Sequence, residues 1–386
     1  MKIIHLSDLH LRDGWFESQG HVVGAFLEDI STYVVPGDGS ILVFSGDLVQ
    51  SGADSRLYQD FLEKFDKLFT LFPDKSLRVC CAGNHDGDRK YVEENISILK
   101  PVYQTKIGEF EFNSEIHKSL SGLVLPKFTN FDLFQNENFG LIATGANFTG
   151  RGYEIGNVGI YVANSSLYTF CGAKEVSDKG NLPIDTRRLS EWIHTNTSKH
   201  RILVMHHPLD WLTPWAEREL RQLISKYFSF FLSGHTHEAE PAQLNTAIGE
   251  SVQFSAPALF ESKSSPNGYT VIDLNADTGT IKTYYRKWSQ STLNFVAGTD
   301  IVGNDTGVLT FIKRDPGGGQ PAVSVRDKRS LVGERLDARL NESLQAYTSL
   351  GTGWVEPVSP LNRNIKLTPL RRRQSQPWLS LRQVLW

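Results

Sequence analysis

Aspartate, histidine and one asparagine recur in five short blocks of this chain. They are Asp8-Leu9-His10, Gly46-Asp47, Gly83-Asn84-His85-Asp86, His206-His207-Pro208 and Gly234-His235-Thr236-His237. Imidazole and carboxylate together suit borderline divalent metals such as Mn, Fe, Zn and Ni, and no thiolate is placed to select a softer ion. Asp8, His10, Asp47, Asn84, His206, His235 and His237 are too many donors for one tetrahedral site and match two ions. A carboxylate can bridge two metals, and Asp47 is the natural bridge. Two cations held ~3.5–4 Å apart can activate water and clamp the attacking and leaving oxygens of a phosphoryl transfer.

Each block directly follows a short, mostly apolar run: KIIHLS at 2–7, ILVFS at 41–45, LRVCCA at 77–82, RILVM at 201–205 and FSFFL at 228–232. Such runs read as strands covered on both faces. Further strands are expected at 141–144 and 159–163. Amphipathic patterns at 21–30, 55–72, 186–194 and 216–227 alternate with them. In 55–72, Leu57, Phe61, Phe65, Leu68, Phe69 and Phe72 recur at helical spacing, so the aromatic stripe reads as packing against a sheet rather than a base-stacking surface. Strand–helix alternation implies parallel pairing with helices on both faces. Such sheets bind ligands beyond the carboxyl ends of their strands, so the five blocks would lie along one edge. Gly46, Gly83 and Gly234 allow sharp turns at those ends. Later runs at 252–255, 269–274 and 281–286 are strand-like and are expected to complete a second sheet.

In the order and composition of its five blocks, the chain resembles the calcineurin-like metallophosphoesterases. The resemblance covers residues 1–237. It implies an α/β fold, a four-layer α-β-β-α sandwich of two central mixed sheets flanked by helices, here with a C-terminal helical or irregular extension. It also implies two divalent metal ions, Mn foremost, with Fe, Zn, Ni or Co accommodated. Asp8, His10, Asp47 and His237 would hold the first, and Asp47, Asn84, His206 and His235 the second. His206 is chosen over His207 because it directly follows its strand; His207 would instead line the substrate pocket. His85 would protonate or steady the leaving oxygen, with Asp86 orienting it. Arg12 and Arg89 adjoin ligand blocks, where a guanidinium could grip phosphate; solvated surface arginines are the plainer reading.

The expected reaction is hydrolysis of a nucleic-acid or (cyclic) nucleotide phosphodiester by a metal-bridging hydroxide. The alternatives are a phosphomonoesterase or protein phosphatase, or a subunit whose tail mainly mediates assembly. Composition agrees with a globular enzyme: 386 residues, 40% apolar and 22% charged, with a net charge of -3 that advertises no global affinity for nucleic acid. Three cysteines, Cys80 and Cys81 adjacent, form no disulfide framework and point to a reducing, cytoplasmic setting. No apolar run is long enough for a membrane span.

Residues 1–314 are expected to form the catalytic domain, 315–327 a Pro/Gly-rich linker, and 328–386 a helical, basic tail suited to homo-oligomerisation or docking on a partner chain. The last stretch, 357–386, lacks Asp and Glu but holds Arg363, Lys366, Arg371, Arg372, Arg373 and Arg382. Phosphoesterase domains that this one resembles begin bacterial antiviral proteins with an NTPase module downstream, and this chain has no phosphate-binding Gly-x-x-x-x-Gly-Lys-Ser/Thr loop. An NTPase would therefore lie on another chain or have been removed, and this chain would be the effector part of a defence assembly.

Overall fold

Side-chain alternation within the strands sets the layers. In β1 (Lys2–Leu6), β2 (Ile41–Phe44) and β3 (Arg78–Cys80), the residues Ile3, Ile41, Val43 and Val79 face one core. Ile4, Leu6, Leu42, Phe44 and Cys80 face another. Across the first core stand Ile160 and Val162 of β5 (Val158–Ala163), Ile202 and Val204 of β6 (His200–Val204), and Phe230 and Leu232 of β7 (Phe230–Ser233). The opposite face of this second sheet, with Tyr161, Leu203 and Phe231, packs on two helices. Leu189 and Ile193 come from Thr186–Thr195, and Leu220 and Ile224 from Pro214–Tyr227. The first sheet is covered in the same way by the helices Trp15–Ile30 and Ser55–Lys64. Three apolar seams thus separate four layers, and the α-β-β-α sandwich expected from the sequence is the observed architecture.

This computed structural model describes residues 1–104, 117–174, 176–260 and 267–312. The remaining strands are β4 (Gly150–Ile155), β8 (Glu240–Thr246), β9 (Gly249–Ser255), β10 (Gly268–Leu274), β11 (Thr280–Ser289), β12 (Asn294–Ala297) and β13 (Val308–Ile312). The first sheet runs β12-β11-β10-β1-β2-β3, with β13 also on β11; the second runs β4-β5-β6-β7-β9-β8. β1, β2 and β3 are parallel, with Ile3 opposite Ile41 and Val43 opposite Val79. β5, β6, β7 and β9 are parallel too. The late strands divide between the sheets: β9 joins the second, whereas β10 pairs antiparallel with β1 and β11 with β10. The expectation that all of them complete a second sheet is corrected accordingly.

Two local expectations also change. The pattern at 55–72 is two helices, Ser55–Lys64 and Asp66–Leu71, because Phe65 leaves helical geometry at φ -109°, ψ 21°. The run at 141–144 contributes a single bridge, Leu141 to Val79, rather than a strand. Among the described residues no helix is long and apolar enough to cross a membrane. The linker and tail expected at 315–327 and 328–386 lie outside the described residues.

Candidate metal centre

The five blocks leave strands of both sheets, not one, and within each sheet backbone bonds tie neighbouring blocks together. Asp8 N–H donates to the Gly46 carbonyl at 3.1 Å, His10 N–H to the Asp47 carbonyl at 3.1 Å, and Gly234 N–H to the His206 carbonyl at 2.9 Å. The turns are sharp. Asp8, His10, Asp47, His235 and His237 all have positive φ, between 47° and 73°. Such backbone costs roughly 1–3 kcal/mol per residue and persists only where the surroundings fix it. Gly83 meets a tighter demand: a Cβ there would lie 2.0 Å from Asp47 Oδ1.

The donor atoms converge in two sets. In the first, His10 Nε2 lies 3.0 Å from His237 Nε2, and Asp8 Oδ1 lies 3.4 Å from His237 Nε2 and 3.7 Å from His10 Nε2. In the second, His206 Nε2 lies 3.1 Å from Asn84 Oδ1 and 3.2 Å from His235 Nδ1. Asp47 Oδ2 faces both, 3.9 Å from His10 Nε2 and 3.3 Å from His206 Nε2. The structure therefore brings together all seven residues expected to be ligands. His206 Nδ1 is held by the Ser45 carbonyl at 2.7 Å, which aims Nε2 at the second set.

The other expected residues fall differently. His85 sits edge-on to His10, with ring centroids 4.6 Å apart. Its Nδ1 is 3.1 Å from the Gln50 carbonyl, so Gln50 orients it. The Asp86 carboxylate instead accepts N–H bonds from Gly83 (2.8 Å), Asp47 (2.8 Å) and Leu48 (3.0 Å), tying two ligand loops together. The expectation that Asp86 orients the His85 ring gives way to this scaffolding role. His207 is fully buried rather than lining an open pocket, with Nδ1 2.9 Å from Ser165 Oγ. Arg12 is exposed at the surface. Arg89 donates Nε–H to the Cys171 carbonyl at 2.9 Å. Gln50, Ser45 and Ser165 carry no sequence signal, since a carbonyl or hydroxyl acceptor is available on almost any loop.

Burial and charge act in opposition here. Burial favours neutral carboxyls, but His206, His85 and His10 hold Asp47 far below the usual carboxylate range. Burial likewise opposes the charge on Asp8, which the imidazoles of His10 and His237 facing Oδ1 keep low. Burial disfavours a charged His206, yet Asp47 pushes it up to about 9. Burial, then repulsion from His206, brings His235 down to about 4. Asp8 Oδ1 is buried and lacks a hydrogen-bond partner. An ionised, sealed carboxylate oxygen facing two imidazole nitrogens is the chemistry of a cation site, and the residues fit a pair of divalent metals.

The calcineurin-like phosphoesterase family matches residues 1–239. The chain belongs to that family. Among solved structures, a purple acid phosphatase from yellow lupin (Lupinus luteus) seeds is similar at a TM-score of 0.50 and 11% identity, covering 85% of this chain and 57% of that one. This metallophosphoesterase thus spans little more than half the length of the lupin protein. A Vps29 mutant from Entamoeba histolytica matches with a TM-score of 0.33 and 11% identity, over 81% of this chain and 99% of that one. No curated protein matches.

Proposed function

We propose that the chain is a metal-dependent phosphoric ester hydrolase acting on phosphodiesters of the nucleotide or nucleic-acid type, with manganese able to support turnover. The observation that carries this reading is Asp47 Oδ2, shared between two complete donor sets. Two divalent cations held by these residues would supply an activated water and neutralise charge on the phosphoryl oxygens. His85, steadied by Gln50, is the proton donor to the departing oxygen. The centre opens on the His237 side, where that side chain is 28% exposed. There a cavity of about 270 Å³, bordered by His237, Glu238, Asn267, Arg286 and Lys287, has room for an organic ester group. Its cations are already compensated: Arg286 pairs with Asp29 and Lys287 with Asp300. That balance suits a singly charged diester better than a dianionic monoester.

The test is a substrate panel on manganese-loaded chain: cyclic nucleotides, DNA, RNA, and p-nitrophenyl mono- and diesters. The diester is expected to be cleaved faster than the monoester. Faster monoester cleavage, or wild-type turnover by Asp47→Ala, overturns the proposal.

A further inference from the structure

His207 is the one histidine of the second cluster without a role in either donor set. Its side chain is 0% exposed, as sealed as that of His206. Its ring lies 4.8 Å from the His206 ring and 4.5 Å from the His235 ring, centroid to centroid. A ring nitrogen of each of these three histidines lies within 4.8 Å of the others. Ser165 fixes the ring from one side: its Oγ accepts the His207 backbone N–H at 3.1 Å and meets Nδ1 at 2.9 Å. The other nitrogen, Nε2, is buried and has no hydrogen-bond partner. A sealed polar atom left unpaired is costly, so its position asks for an occupant.

We propose that His207 Nε2 is a third imidazole ligand of the second cation, with Nδ1–H given to Ser165. This rests on the dinuclear reading above. The remaining donors of that set explain the need: a carboxylate shared with the first ion, a neutral amide and two imidazoles. A third imidazole makes the set nitrogen-rich, which favours Zn, Fe, Co or Ni there and leaves Mn better suited to the first position.

Cobalt titration of the whole chain, followed by metal analysis and the visible absorption of bound Co(II), tests this. Wild type is expected to bind two ions. His207→Ala is expected to keep the first and weaken the second by more than the about 10–100-fold typical of losing an outer partner, with a changed Co(II) spectrum. Ser165→Ala produces a smaller loss in the same direction. His207→Gln serves if the alanine variant fails to fold, judged by circular dichroism. Unchanged second-ion affinity and an unchanged spectrum overturn the assignment. A wild type that binds only one cobalt at saturation overturns the dinuclear reading itself.

Discussion

The backbone N–H of His85 donates to Asp47 Oδ1 at 2.7 Å. That bond occupies one carboxylate oxygen and leaves Oδ2 facing both donor sets. Asp47→Asn keeps an acceptor for His85 N–H but removes the shared charge. Several kcal/mol of transition-state stabilisation are at stake, so turnover should fall about 10³-fold or more. Circular dichroism should stay unchanged. Near-normal turnover by the folded variant would show that the bridge is dispensable.

Gly83→Ala tests the same carboxylate from outside the donor set. The new Cβ would sit 2.0 Å from Asp47 Oδ1 and 2.3 Å from Asp47 N, so Asp47 must move. Overpacking of this kind costs about 1–3 kcal/mol of stability. Activity should fall far more than the thermal midpoint suggests. Metal-loaded turnover and thermal unfolding, measured side by side, check the expectation.

His85 is separable from the metal-binding residues by its leaving-group dependence. A proton donor contributes about 10²–10⁴-fold where the departing oxygen is basic. His85→Asn should therefore slow an alkyl diester severely and a p-nitrophenyl diester little. Equal losses on both substrates would assign His85 to positioning alone.

The donor blocks are legible because each donor lies within four residues of the strand end that places it. Asp8, Asp47 and His206 needed no tertiary information beyond convergence. Asp86 is the converse case: chain adjacency to His85 reads as partnership, whereas its carboxylate reaches the Gly83 and Asp47 amides. The break at Phe65 is invisible because apolar spacing continues through it. β8 carries no apolar signature because it is a polar, half-exposed edge strand beside β9 alone. The division of the late strands between sheets depends on pairing across the fold, which local pattern does not encode.

Asp132, in the helix Thr129–Asn138, sets a pH dependence apart from the metal centre. Burial pushes its carboxyl up to about 6, against a bond from Gln135 Nε2 at 2.9 Å. The folded state therefore holds a proton that the unfolded chain, with an ordinary carboxyl near 3.8, gives up. Stability falls as pH rises from about 4 to about 6, because the native state binds the extra proton in that window. The full cost is present at pH 7 and amounts to at most about 3 kcal/mol. Asp132→Asn retains an acceptor for Gln135 and removes the titration. It should stabilise the chain at pH 7 and have little effect at pH 4, as read by urea unfolding of both proteins at each pH. An equal effect at the two pH values would mean that the carboxyl is not raised.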